Sequence, residues 1–485
     1  MILLPASERP SVLRSITAGF ARYVFLALSL AGFVSLVGCT TYKQQNKFVD
    51  SWRRGDLATA EREATAKADK EAGGKDAIIW RLEQGAILRA QGKYEESNKA
   101  FDEAQEKIDE YAEKAKVKLA AEAGALLSNQ ANLPYRGRGY DGIMLNTYKA
   151  LNFLAMHDPD KARVEIIRAY QRQQDAVEDH KRRIEKAQEE LEGEKEKKRV
   201  EQARSDPNVQ GRLNQAYSGL DSLKVYSDYV NPFSVYLDGL IFLANAAGSS
   251  DLERARKSFE RVCAFAEGNH FVKEDLAMVE ATVQGQSPGP VTYVLVESGL
   301  APMRDQIRID LPIIFSKVSY VGAAFPTLQL QGGRLNSLDV LANGTNQTAE
   351  PLASMDSIIA HDFKNELPTI ITKTIAATVI KAAASYAAND AARKQGGELA
   401  GLFSQLGTAV FQIAVNIADL RTWTTLPKEF LLCRVPTPPD RKIELQTPGG
   451  AQKVSVTLDE GAMNLVFVKS ISANGPLFVS QMKLK

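Results

Sequence analysis

A chain of 485 residues, 44% apolar and 25% charged, has the composition of folded protein, with room for roughly two to four domains. Its formal net charge is +1; the first 38 residues carry three arginines and one glutamate, or +2, so the remainder stands near −1. No global field marks the chain for nucleic acid, which is not expected as a partner.

At the N-terminus, Arg9, Arg14 and Arg22 precede an apolar run from Tyr23 to Val37. That is the layout of a secretory signal, too short and wrongly flanked for a spanning helix. The run ends in Leu36-Val37-Gly38-Cys39, the pattern of a bacterial lipobox. Residues 1–38 are therefore the expected signal peptide, and Cys39 the expected lipidation site (palmitate among its chains). Each buried methylene of such chains contributes ~0.8 kcal/mol, so two or more anchor stably. Thr40, not aspartate, follows Cys39; in a diderm cell this sorts the protein to the periplasmic face of the outer membrane. The other two cysteines, Cys263 and Cys433, either bridge the two halves or pack as small hydrophobes, the second being favoured because both sit in apolar patterns.

Residues 39–285 are helical in period, with a repeat close to the 34 residues of tetratricopeptide units. The best copy runs from Ile78 to Tyr111, with Gly85 and Gly92 at small positions and Tyr94, Phe101 and Ala104 at packing positions. A partial copy around Trp52, Gly55, Ala60 and Ala64 precedes it. Others span Ile143 to Ala169 and Phe233 to Phe265. Small residues let two helices approach, and three or more units bury a continuous core. A long charged stretch, with Tyr170, Val177, Ile184 and Leu191 every seven residues, reads as an arm or, preferentially, as a helical hairpin over 164–229 that turns at Ser205-Asp206-Pro207.

Gly137-Arg138-Gly139-Tyr140-Asp141-Gly142 matches a dinucleotide fingerprint by letter, but the preceding segment is helical, so a rigid loop is the better reading, with Asp141 near a helix N-cap. Arg136 and Arg138 beside that helix N-terminus could hold an anion. With Tyr135, Tyr140, Asp141, Asn146 and Asn152 they form the first candidate partner-binding patch, against the alternative that they only support the fold. Arg421 and Trp423 form a second candidate, Trp423 also reading as a core anchor with Arg421 stacked on it or pairing with Asp419.

Tyr135-Arg136-Gly137, the run Asn146 to Leu154, Asp160-Lys161-Ala162-Arg163, Asn231-Pro232-Phe233, Arg421-Thr422-Trp423 and Leu426-Pro427 resemble an uncharacterised family of bacterial tetratricopeptide-repeat-like lipoproteins of the cell envelope. The resemblance covers most of the mature chain. It implies an envelope lipoprotein without an assigned activity, in the context of peptidoglycan or outer-membrane assembly.

His157, His180, His270 and His361 lie in separate segments, and no G-x-S-x-G, H-E-x-x-H or P-loop is present. No catalytic residue, metal site or cofactor is expected, and the chain does not read as an enzyme.

After Gln286-Ser-Pro-Gly-Pro290 the pattern changes, and residues 286–485 read as an α+β domain. Strands are predicted between 291 and 330, a loop at Asn343-Gly344 leading into helices, an apolar helical hairpin over 355–420, and a terminal sheet over 428–485. The hairpin is either membrane-inserted or, preferentially, buried against a sheet, because Lys373, Lys381, Gln405, Gln412 and Asn416 interrupt it. The strands suggest a small antiparallel sandwich. The expected fold is thus α+β: a tetratricopeptide-like helical layer, then a β-sandwich-like domain with an inserted apolar hairpin. The expected function is a lipid-anchored periplasmic scaffold whose concave helical surface binds an envelope protein or peptide. The alternative is a component that touches lipid or peptidoglycan directly through 355–420 or the terminal sheet.

Overall fold

The computed structural model describes residues 48–117, 131, 133–189, 194–224, 226, 230–287, 289–312, 320–382, 391, 394 and 418–485. The lipobox with Cys39, the alanine-rich stretch 118–130 and residues 399–417 of the second apolar helix lie outside them.

The fold is mixed α+β, with the helices mainly in the N-terminal half and the sheets in the C-terminal part. The helical layer comprises α1 (48–53), α2 (Leu57–Lys70), α3 (Ala77–Ala90), α4 (Tyr94–Val117), α5 (Gly139–Ala155), α6 (Pro159–Glu189), α7 (Glu194–Arg204), α8 (Pro207–Tyr217), α9 (Pro232–Ala244), α10 (Ser249–Phe265) and α11 (His270–Val283). Their starts follow from local chemistry. Asp56, Asp206, Asn231 and Asn269 each accept a backbone N–H in the first turn of the following helix, and Pro207 and Pro232 begin α8 and α9 where no N–H is needed.

α3 pairs with α4, α5 with α6, and α9 with α10. Two pairs close over a glycine: a Cβ on Gly85 would lie 2.5 Å from Phe101, and one on Gly239 would lie 2.9 Å from Phe259. The first helix of each pair is sequestered, every residue of α9 and nearly all of α3 and α5 being buried. α9, Pro-Phe-Ser-Val-Tyr-Leu-Asp-Gly-Leu-Ile-Phe-Leu-Ala, is apolar around most of its circumference, as suits a helix covered on all sides, and its one charge, Asp238, is paired with Arg254 of α10.

What covers it is the sheet. Five strands run in the order β11 (Leu477–Lys483), β10 (Met463–Ser470), β1 (Val291–Ser298), β7 (Glu429–Pro436), β6 (Glu350–Ser354). All residues of β1 and β10 are buried, which explains the apolar runs Tyr293 to Val296 and Leu465 to Val468 at their centres. Phe233 of α9 stacks on Phe430 of β7 at 3.7 Å between ring centroids. A four-stranded sheet, β5 (Thr345–Thr348), β4 (Asp339–Ala342), β8 (Lys442–Gln446), β9 (Lys453–Thr457), adds Val340, Ile443, Leu445 and Val456 to the same core. One hydrophobic core thus runs from Phe48 to Leu484 through helices and both sheets.

Two expectations are corrected. The large sheet is mixed, because β1 pairs parallel with β10, so the strands do not form an all-antiparallel sandwich. Asn343-Gly344 does not lead into helices: at φ 53° and 76° it makes the two-residue turn of the β4–β5 hairpin, and β6 follows.

A second core is built from both halves. Val200, Ala203, Val209 and Leu213 of α7 and α8 meet Ile309, Leu311, Ala323 and Phe325 of the hairpin β2 (Met303–Pro312) and β3 (Tyr320–Gln329). Ile375, Ala376 and Val379 of a helix over 355–382 (α12) close it. The charged excursion therefore returns at Ser205-Asp206 and docks on its own chain. Tyr170 and Val177 of its heptad series are exposed. Ile184 and Leu191 lie outside the described side chains. No helix among the described residues is long and apolar enough to cross a membrane. Cys263 and Cys433 are free thiols, half-buried on α10 and buried on β7.

The glycine contacts give opposite signs to one substitution. Gly85→Ala drives a methyl into the Phe101 ring and is expected to lower stability by about 1–3 kcal/mol. Gly211→Ala, in exposed α8 with nothing within 4 Å of its Cβ, is expected to raise it by about 0.5–1 kcal/mol. Urea titration of both variants checks the pair.

Candidate functional site

The two candidate patches meet in one place, a polar junction between the helical layer and the C-terminal part. It starts with the loop before α5. Gly137, at φ 82°, turns the chain so that Asp141 lies in the first turn of α5. The Asp141 carboxylate there accepts from the Arg138 backbone N–H at 2.7 Å and from the Tyr135 hydroxyl at 2.5 Å. The glycine-rich motif is thus a helix-start device. Burial pushes the Asp141 carboxyl up to about 6, although both donors favour its charged form.

Arg138 points into the junction. Its guanidinium donates to Glu366 of α12 at 2.7 Å and lies 3.7 Å from Asp419. Arg304 of β2 reaches the same Glu366 oxygen at 3.2 Å. Arg421 clasps Asp419 with Nε at 2.7 Å and Nη2 at 2.9 Å, and its Nη1 donates to Asp76 at 2.9 Å and to the Leu133 carbonyl at 2.8 Å. Burial alone would raise Asp419; the Arg421 fork, helped by Arg138 and Arg304, reverses this and holds its carboxyl below the usual carboxylate range.

Next to this lies Trp423, fully buried, its ring edge-on to Phe101 at 5.9 Å and Tyr148 at 5.8 Å and its N–H on Thr425. The Glu83 carboxylate of α3 accepts from Thr424 N and Oγ1, both at 2.6 Å, and from Thr425 N at 3.1 Å. Burial nevertheless raises that carboxyl to about 7.

Most residues of the sequence-derived patch lie inside the fold. Tyr135, Tyr140, Asp141, Asn146, Asn152 and Trp423 are all buried, Arg138 and Arg421 nearly so, and Arg136 alone is exposed. Asn146 and Asn152 do not reach the junction. They face the outer helices, Asn146 donating to Gln105 and Glu165 and Asn152 to Ser97 and Asn98. The polar face of α5 is polar because it packs between α4 and α6, whose side chains accept from the amide nitrogens of Asn146 and Asn152. Sequence reading missed Glu83, Asp76, Arg304, Glu366, Thr424 and Thr425. Their partners lie up to 345 positions away, and no local pattern carries such a pairing.

A cavity of about 10 Å³, room for one water, opens beside the junction between Tyr140, Ile143, Tyr226, Val230, Ile358, His361 and Asp362. Among the described residues no group of three or more His, Cys, Asp or Glu could hold a metal ion. Chemically the junction is an ion-paired clamp that locks helices to sheet. In comparisons with protein-family models, curated proteins and solved structures, none matches this chain.

Proposed function

We propose that this protein is a lipid-anchored periplasmic scaffold of the outer membrane that binds a protein or peptide partner of the cell envelope, its helical pairs being tetratricopeptide-like. The observation that carries this reading is the lipobox at Cys39 ahead of a body held as one continuous core. The burial of α3, α5 and α9 under the chain's own sheet refines it. In a scaffold of stacked helix pairs, the first helices ordinarily offer the concave groove; here that face is filled from within. The partner surface is assigned instead to the outer helices and to the sheet margins.

Two measurements test the proposal. Cys39→Ser is expected to shift the protein from the membrane pellet to the detergent-free soluble fraction, and retention in the pellet would overturn the lipid anchor. Affinity capture of the full chain from cross-linked envelopes is expected to recover specific proteins, whereas recovery of glycan or lipid alone would replace the scaffold by direct contact with peptidoglycan or membrane.

A further inference from the structure

We propose that β11 is an interface at which two copies of this chain pair across a two-fold axis, joining their five-stranded sheets edge to edge. Among the described residues β11 lies at the margin of the large sheet, hydrogen-bonded only to β10. The bonds from Val291 N to Ala462 O and from Leu484 N to Met463 O fix the alternation of β10 between its two neighbours. Phe478, Ser480 and Met482 therefore turn their backbone groups to β10, and Leu477, Val479, Gln481 and Lys483 turn theirs outward. Among the described residues no backbone hydrogen bond reaches those four.

Unpaired edges invite strand addition, and the other margins of the five- and four-stranded sheets are blunted while this one is not. β6 contains Pro351 and a register shift beside it. β5 is four residues, Thr-Asn-Gln-Thr, and β9 is five, both largely exposed. β11 has seven residues, Leu-Phe-Val-Ser-Gln-Met-Lys, mostly half-buried, with its single charge at one end.

The occupant follows from the strand itself. Antiparallel self-pairing centred on Ser480 sets Val479 against Gln481 of the partner subunit and Leu477 against Lys483 of the partner subunit. Every residue in those pairs is outward-turned, so each pair exchanges two hydrogen bonds and no open backbone group of β11 is left over. The two Lys483 side chains fall at opposite ends, which avoids like charges face to face. A two-fold contact needs one patch complementary to itself, and this strand is one.

The test uses the full chain in detergent. Sedimentation equilibrium is expected to give twice the monomer mass. Val479→Pro removes an outward N–H that bonds no other described residue, and is expected to give a monomer with an unchanged circular dichroism spectrum. Ser480→Cys places two thiols on the axis at a close-approach pair, with Cα atoms about 4.5 Å apart. Mild oxidation is expected to give a covalent dimer above the level of the parent chain, and Gln481→Cys is not. A wild-type monomer, or a dimer that survives Val479→Pro and gives no Ser480→Cys cross-link, overturns the proposal. So does capture of a foreign peptide strand on β11 of a monomer.

Discussion

Arg421→Ala is expected to cost about 3–5 kcal/mol of stability, the loss typical when one partner of a buried ion pair is removed. The side chain makes two bonds to Asp419, one to Asp76 and one to the Leu133 carbonyl, tying three separate segments with one planar group. Without it, Asp419 keeps the backbone N–H of residue 421 at 3.1 Å and Arg138 at 3.7 Å, and Asp76 loses a bond inside the protein. Arg421→Lys keeps the charge but not the fork, so it is expected to recover only part of the loss. Arg136→Ala, two residues from Arg138 yet exposed, is expected to change stability by less than about 0.5 kcal/mol. Urea midpoints for the three variants check this series; equal midpoints for Arg421→Ala and Arg136→Ala would sink the clamp.

The second large effect is on pH dependence. Burial raises Glu83 and Asp275 to about 7, from ordinary values of 4.5 and 3.8. Asp275 accepts from the Tyr236 hydroxyl at 2.7 Å and the Tyr293 hydroxyl at 3.1 Å, in the cleft between α9, α11 and β1. A carboxyl whose folded pKa lies above its unfolded one binds more protons when folded, so its contribution is lost as pH rises from the unfolded value through the folded one. Between about pH 4 and 7 each of the two groups takes away roughly 3–4 kcal/mol at ~1.36 kcal/mol per unit. Asp419, held low, has the opposite sign: its contribution is present above its unfolded value and lost as pH falls through its folded one. Stability is therefore expected to be higher near pH 5 than near pH 8. Asp275→Asn, which titrates no more, is expected to flatten that slope. A urea midpoint that is level or rising over the interval in the wild type would contradict it.

The sequence made some levels of this molecule readable and hid others. Alternation in Ile307, Ile309 and Leu311 marks β2, and β-branched runs mark β1 and β10, because strands that line a core have little freedom of composition. β5 is the counter-example: four polar, largely exposed residues spell nothing that a loop would not, and Asn343-Gly344, read as a loop leading into helices, is the turn of its hairpin. The small residues Gly85 and Gly239 pointed to close helix pairs, and both do sit under aromatic rings. What α5 hid was the surface on its far side. A helix with Tyr140, Asn146, Lys149 and Asn152 reads as half-exposed when it is taken alone. In the fold their donors meet Thr422, Gln105, Asp102 and Asn98, which come from α4 and from a segment beyond α12. Polarity in sequence signals a need for partners, and only tertiary structure decides whether water or protein meets it.

The parallel pairing of β1 with β10 also sets a timetable. Glu297 and Lys469, joined at 2.6 Å in the core, are 172 positions apart, and everything between them must be in hand before the sheet can close over α3, α5 and α9. While the chain is being made, those three helices come first and their apolar faces are still bare. Non-local closure of this kind is slow and leaves sticky surface open to aggregation. A newly made copy therefore passes through a vulnerable interval whose length is set by the arrival of β10, and a chain cut short before Met463 would never leave it.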